Sequence, residues 1–182
     1  AAKNPQQYVF EIQKAGFYRA THRNEIANKV LSDLLQRQPQ SADVWQRVGD
    51  FYVRIREFNR ANQIYDEGMQ KFTDKRTSFQ LRKVTLLVLQ SKSREALDLI
   101  EKTVKDDPKS DEALAMRAAL QLSQGGKDKA QAAINDLQSL LSRAPKNAAV
   151  RYNLGRAYFT RGELDAARVQ FTEAVKLSPS MT

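Results

Sequence analysis

The chain of 182 residues has no cysteine, one histidine and five prolines. The missing cysteine excludes disulfides, thiol nucleophiles and thiolate metal sites. A single histidine, His22, leaves no material for a histidine zinc site or a Ser-His-Asp triad. It stands near an expected turn, where a histidine is ordinarily a solvated loop residue. Long apolar runs are missing too. The longest notable one, Val84 to Leu89, is interrupted by Thr85 and falls far short of the ~20 residues that span a bilayer. The segment from Ala1 to Gln7 is polar and has no leader-type apolar core. With no cysteine and an Ala1-Ala2 start of the kind left by processing, the compartment reads as cell envelope, with the cytoplasm open.

Chemistry-bearing motifs are equally scarce. The acidic pairs Asp66-Glu67, Asp106-Asp107 and Asp111-Glu112 are adjacent in sequence, and neighbours on a helix point apart. There is no phosphate loop, nucleophile elbow or metal spacing. The expectation is a protein that is not an enzyme, with no cofactor, no metal and no small-molecule substrate.

What the chain does have is a repeat. A small residue recurs at Ala27, Ala61, Ala96, Ala130 and Ala167, with spacings of 34, 35, 34 and 37. A helix stop follows each one: Pro39, Thr73, Pro108, Pro145 and Pro179. Proline lacks an amide hydrogen and disfavours helical geometry in the residue before it, so it ends a helix pair cleanly. The pattern predicts helices over 8–21 and 24–37, 42–55 and 58–71, 77–90 and 93–106, 111–124 and 127–143, 148–161 and 164–177. The spacing of 37 places about one extra turn of ~3.6 residues in the helix from Lys127 to Arg143. Gly125-Gly126 marks the turn before it.

Two units carry a fuller signature. In the second it reads Trp45, Val48, Gly49, Tyr52, then Phe58, Ala61, Tyr65, Gly68. In the fifth it reads Tyr152, Leu154, Gly155, Tyr158, then Ala167, Phe171, Ala174, Pro179. Gly49 and Gly155 are poor helix formers inside a helical period, where a side chain would hold the paired helix away. Tyr65 and Phe171 are expected to fill the gap to the next helix.

These residues resemble the tetratricopeptide repeat signature, and the resemblance runs from residue 8 to 179. It implies an all-α, right-handed α-solenoid of five antiparallel helix pairs, in units of about 8–41, 42–76, 77–110, 111–147 and 148–182. It also implies a protein–protein interaction scaffold with a concave face lined by the first helix of each pair. Mapped onto this sequence, the groove positions are Ile12, Gln13, Gly16 and Arg19, then Gln46, Arg47, Asp50 and Arg54. They continue with Leu81, Arg82, Thr85 and Leu89, then Met116, Ala119 and Ser123, and finally Tyr152, Asn153, Arg156 and Phe159. The Lys-Asn clamp with which some members hold a terminal carboxylate is absent, since its positions carry Ile12, Gly16, Gln46 and Asp50.

Net charge is +9 at pH 7 and is spread over all five units. The first helices carry eleven basic residues (counting Arg56 at the turn) against Glu11, Asp43, Asp50, Asp111 and Glu112. That balance, with Leu81, Met116 and Tyr152 as apolar contacts, implies an acidic and apolar peptide or protein segment as partner. RNA is the poorer fit. One recurring groove position reads Gln13, Arg47, Arg82, Met116 and Asn153, too irregular for a base code. Neither end has a polar cap: the first helix, Tyr8-Val9-Phe10-Glu11-Ile12 onward to Phe17-Tyr18, is apolar on more than one face, and the last carries Leu164, Val169, Phe171, Val175 and Leu177. Either the chain is a piece of a longer array acting through its ends, or those ends associate with a second copy.

Overall fold

The computed structural model describes residues 5–179. They form ten α-helices, and no strand occurs among the described residues. The helices are α1 Pro5–Ala20, α2 Asn24–Arg37, α3 Ala42–Arg54, α4 Phe58–Lys71, α5 Arg76–Leu89, α6 Ser93–Asp106, α7 Asp111–Gln124, α8 Lys127–Arg143, α9 Ala148–Arg161 and α10 Leu164–Leu177. From α2 onward every boundary lies within a residue of the one the alanine register predicts. The extra turn sits in α8, which has 17 residues where its neighbours have 14.

Two kinds of punctuation alternate. Turns inside a pair reverse the chain on a left-handed residue: His22 (φ 59°), Arg56 (φ 62°), Ser91 (φ 61°), Gly125 (φ 73°) and Gly162 (φ 86°). Their spacing repeats that of the alanines. The Arg23 amide donates to the Tyr18 carbonyl at 2.8 Å, and Glu57 to Tyr52 and Glu163 to Tyr158 do the same at 2.9 Å. These six-residue closures satisfy carbonyls that the helix end leaves unpaired. Turns between pairs use side-chain caps instead. Ser41, Ser110 and Asn147 accept hydrogen bonds from the Val44, Ala113 and Val150 amides, each cap two residues after a proline. Thr73 is the stop that is not proline, and there a short 3-10 turn, Thr73–Lys75, joins α4 to α5.

The chain divides into two compact units, one ending at Leu89 and the other starting at Gln90. The division falls at the turn of the third sequence repeat, so α5 belongs to the first unit and α6 to the second. In the first unit α1 pairs with α2, α3 with α4, and α5 lies against α4. Its core holds Ala27, Leu31, Val44, Val48, Ala61, Tyr65 and Phe79, all at most 1% exposed. Phe72 links two aromatic neighbours in this core, edge-on to Trp45 at 6.1 Å and stacked on Phe79 at 5.9 Å. In the second unit α7 pairs with α8, α8 with α9, and α9 with α10. Ala130, Ala133, Ile134, Leu137 and Leu154 are buried there.

The glycines show why the pairs close so tightly. The Tyr65 ring occupies the space a Cβ on Gly49 would need, and the Phe79 ring does the same at Gly68. At Gly155 the Phe171 ring would stand 2.7 Å from such a Cβ. Tyr65 and Phe171, expected to fill a gap between helices, each cover the glycine of their own pair.

Candidate functional site

On α1, residues Val9, Ile12, Gly16 and Arg19 follow one another at helical spacing and share a face. On α3, residues Arg47, Asp50, Phe51, Arg54 and Ile55 do the same. The two faces bound a cleft of about 610 Å³ in the first unit. Val9, Gly16 and Ile55 supply accessible apolar surface over the buried Ile12 and Phe51, and Gln13, Arg19, Arg47, Asp50 and Arg54 the polar rim. Of the sequence-predicted groove residues, Ile12, Gln13, Gly16, Arg19, Arg47, Asp50 and Arg54 are thus brought together. Val9, Phe51 and Ile55 were not anticipated, although their spacing from Ile12 and Arg47 placed them on the same faces.

Most of the rim is already committed. Arg19 pairs with Glu57 at 2.7 Å. Arg47 pairs with Asp43 on its own helix at 2.9 Å and lies over the Tyr8 ring at 5.7 Å. The Tyr8 hydroxyl donates to the same Asp43 carboxylate at 2.6 Å, tying α1 to α3. Partial burial pushes Asp43 up, but the hydrogen bonds from Tyr8 and Arg47 outweigh it and hold its carboxyl below the usual carboxylate range. The same contacts with Asp43 raise Arg47 and Tyr8. Asp50 accepts from the Tyr65 hydroxyl at 2.7 Å and pairs with Arg82 at 3.2 Å. Burial, followed by the bond to Asp50, raises the Tyr65 phenol well above its ordinary value.

Arg54 differs from the other two. It is exposed, its guanidinium lies 5.6 Å over the Phe51 ring, and it makes no ion pair among the described residues. It is the rim cation left with its charge available.

The other predicted residues lie elsewhere. Gln46 donates to Ser78 at 2.6 Å and Arg82 reaches Asp50, so both brace α5 against α3. Thr85 is exposed on α5 and bonds back to the Leu81 carbonyl at 3.1 Å. Leu81 needs correction: it is 3% exposed, so the turn of α5 that carries it puts the side chain inside and offers no groove surface. In the second unit Met116 is half-buried on α7. On α9, Tyr152 and Phe159 are exposed by 41% and 64%, with exposed Arg156 between them hydrogen-bonded to Asn153 at 3.3 Å.

The positive surplus of the first helices also shrinks on inspection. Second-helix groups take up much of it: Lys83 pairs with Asp66 at 2.5 Å, Arg161 with Glu163 at 2.9 Å, and Arg151 donates to Gln170 at 3.1 Å. Arg117 grips Asp136 through two bonds of 2.8 and 2.6 Å, with the Asp136 side chain 7% exposed. The hydrogen bonding to Asp136 raises the Arg117 pKa further. Among the described residues Lys14, Arg54, Arg76, Arg151 and Arg156 on the first helices, with Arg56 at a turn, form no ion pair with a carboxylate. Among the same residues no three His, Asp or Glu side chains gather as a metal site, and no helix is long and apolar enough to cross a membrane.

Residues 126–179, comprising Gly126 and helices α8 to α10, match the model of a tetratricopeptide repeat family. No curated protein matches the chain. Solved structures resemble it over nearly all its length. A tetratricopeptide repeat protein from Parabacteroides merdae ATCC 43184 is 17% identical with a TM-score of 0.70, over 97% of this chain and 68% of that one. YrrB, described as a tetratricopeptide protein with an unusual peptide-binding site, is 18% identical with a TM-score of 0.64, over 94% and 86%. PilW, a type IV pilus biogenesis factor, is 16% identical with a TM-score of 0.68, over 98% and 81%. At these identities the likeness is one of fold. Joined to the family match over the last three helices and to the glycine–ring packing of its helix pairs, it shows that the chain has the helix-pair fold of tetratricopeptide repeat proteins.

Proposed function

We propose that the α1/α3 cleft binds a protein or peptide segment carrying acidic and large apolar side chains. Arg54 carries this reading: an exposed guanidinium without a carboxylate, beside an apolar floor. A partner carboxylate gains a charged fork there, and the neighbouring side chain leaves water against Val9 and Ile55. The same combination recurs on α9, where Arg156 stands between Tyr152 and Phe159. Selection from a displayed library of random dodecapeptides tests the reading. Enriched sequences should place Asp or Glu beside Leu or Phe, and Arg54→Glu should abolish their capture with circular dichroism unchanged. Enrichment of basic peptides, or equal capture by R54E, would refute it.

A second reading concerns the outer face of α1, which fits a helix from a second copy of the chain. Counting from the small residue at the middle of each first helix, Phe10 is the counterpart of Val44, Phe79, Ala113 and Val150. Those four are at most 9% exposed, whereas Phe10 is 64% exposed and Phe17 58%. The repeat therefore assigns this face to a second-type helix, and α10 presents Val169 and Val175, 53% and 40% exposed. Light scattering across a concentration series should show assembly that Phe10→Glu removes. A monomer at every concentration argues against it.

A further inference from the structure

Successive first helices of the first unit are joined by polar side-chain pairs at set places in the repeat. Tyr8 donates to Asp43 at 2.6 Å and Gln46 to Ser78 at 2.6 Å. Asp50 pairs with Arg82 at 3.2 Å, and Arg19 with Glu57 at 2.7 Å. Counted from Ala15, Gly49, Val84 and Gly155 at the middle of their helices, the leading members Tyr8, Gln46, Asp50 and Arg19 have Ala148, Tyr152, Arg156 and Phe159 as counterparts on α9. The following members have theirs near the start of the chain. Val9 answers to both Asp43 and Ser78, Gln13 to Arg82 and Arg23 to Glu57.

The two sets of counterparts suit each other. Where Tyr8/Asp43 and Gln46/Ser78 are polar, Ala148/Val9 and Tyr152/Val9 are apolar on both sides at once. Arg156 is a donor and the Gln13 amide oxygen an acceptor. Phe159 and Arg23 exchange an ion pair for a ring and a cation. Contacts between a second helix and the next first helix behave alike. Gln138 on α8 donates to Tyr158 on α9 at 3.0 Å, and the counterparts are Val175 on α10 and Tyr18 on α1, an aliphatic side chain and a ring. Lys83 with Asp66 becomes Lys14 with Thr172, which loses an acid but opposes no like charges. Val9, Tyr152, Phe159 and Val175 are exposed, so these surfaces are open to contact.

We infer that copies of the chain associate head to tail in the register of the repeat, with α9 and α10 of one copy packed on α1 of the next. Tyr152 then meets Val9, Val175 meets Tyr18, and Phe159 meets Arg23. This rests on the second-copy reading above and adds which face of that copy is used, and in what register. The contact joins two different faces, so each copy keeps one of each and association runs past the dimer.

The test uses the full chain in sedimentation velocity, with circular dichroism checking the fold of each variant. Phe10→Glu blocks the α1 face and Val175→Glu the α10 face. Each alone should be a monomer. Mixed, they should form a one-to-one dimer that grows no further, because one intact face of each kind remains. A dimer of either variant alone means that like faces meet, and overturns the head-to-tail contact. No dimer in the mixture, with wild type assembling, overturns it likewise. For the register, Phe159→Arg should weaken association about fivefold, the size of an exposed charge contact, and adding Arg23→Glu should restore it. No loss, or a loss that Arg23→Glu does not restore, overturns the register and leaves the second-copy reading standing. A wild type that is monomeric at every concentration removes that reading and this inference together.

Discussion

The ring of Tyr65 stands over the Cα of Gly49, in the space any side chain at that position would need. Tyr65 is 1% exposed and its hydroxyl is held by Asp50 at 2.7 Å, so the ring cannot swing aside without giving up a partly buried hydrogen bond. Gly49→Ala should therefore destabilise the chain. Overpacking of a close-packed site costs ~1–3 kcal/mol, against a gain of ~1 kcal/mol in helix propensity. Gly155→Ala should be milder, because Phe171 is only half-buried and has room to give. Urea unfolding of the two variants checks the order.

The same tyrosine sets an alkaline limit. Its phenol is raised in the folded state, by burial first and by the Asp50 bond second. Below the unfolded value near 10 both states are protonated and its contribution is intact. Above that, the unfolded chain ionises while the folded one resists, so stability falls as pH rises. Between pH 8 and pH 11 the wild type should lose more stability than Tyr65→Phe, measured by guanidinium midpoints.

Arg117 and Asp136 form a strut between α7 and α8, with the carboxylate nearly buried. Removing one partner strands the other charge. Arg117→Met alone should cost on the order of 3–5 kcal/mol, and Arg117→Met with Asp136→Leu should recover most of that. Thermal unfolding of the single and double variants gives the comparison. A double variant no better than the single one would mean the pair is worth more than its geometry suggests.

Asp43 works in the opposite pH direction from Tyr65. Its folded value is depressed, so its contribution is present above the unfolded value of ~3.9 and lost as pH falls through the folded one. Its side chain and that of Arg47 are about half exposed, at 50% and 49%, so the effect should stay below ~1 kcal/mol. Tyr8→Phe removes one of the hydrogen bonds that lower it. That variant should show a shallower fall in urea midpoint between pH 5 and pH 3 than the wild type.

The helices were legible because their signals are local. An alanine on the inner face, a proline after the last turn and a small cluster at each reversal lie within one repeat and fix the boundaries. Ser41, Ser110 and Asn147 cap the next helix two residues after a proline, a local signal that the alanine register did not use. The identity of the free arginine was not legible. Arg19 is neutralised by Glu57 and Arg82 by Asp50, partners more than thirty residues away on other helices. Composition counts those charges but cannot say which meet. Nor does a glycine letter reveal whether a ring stands over it. Gly16 and Gly49 occupy neighbouring positions of the same helical pattern, yet one lies open and the other is covered. Leu81 failed for a related reason: its burial depends on what packs around α5, which its own letter does not show.

The five left-handed turns have a bearing on how far this sequence can be improved. Gly125 and Gly162 adopt a positive φ freely, but His22, Arg56 and Ser91 hold the same conformation with a side chain attached. That geometry strains an L-residue by ~1–2 kcal/mol. His22 and Ser91 are exposed and lie outside the cleft. His22→Gly and Ser91→Gly should each raise the melting temperature, by an amount matching about 1 kcal/mol, with peptide capture unaltered. The reversals thus hold an untapped reserve of thermal robustness, separable from recognition, from which an engineer could offset the penalty of any new specificity built into α1 and α3.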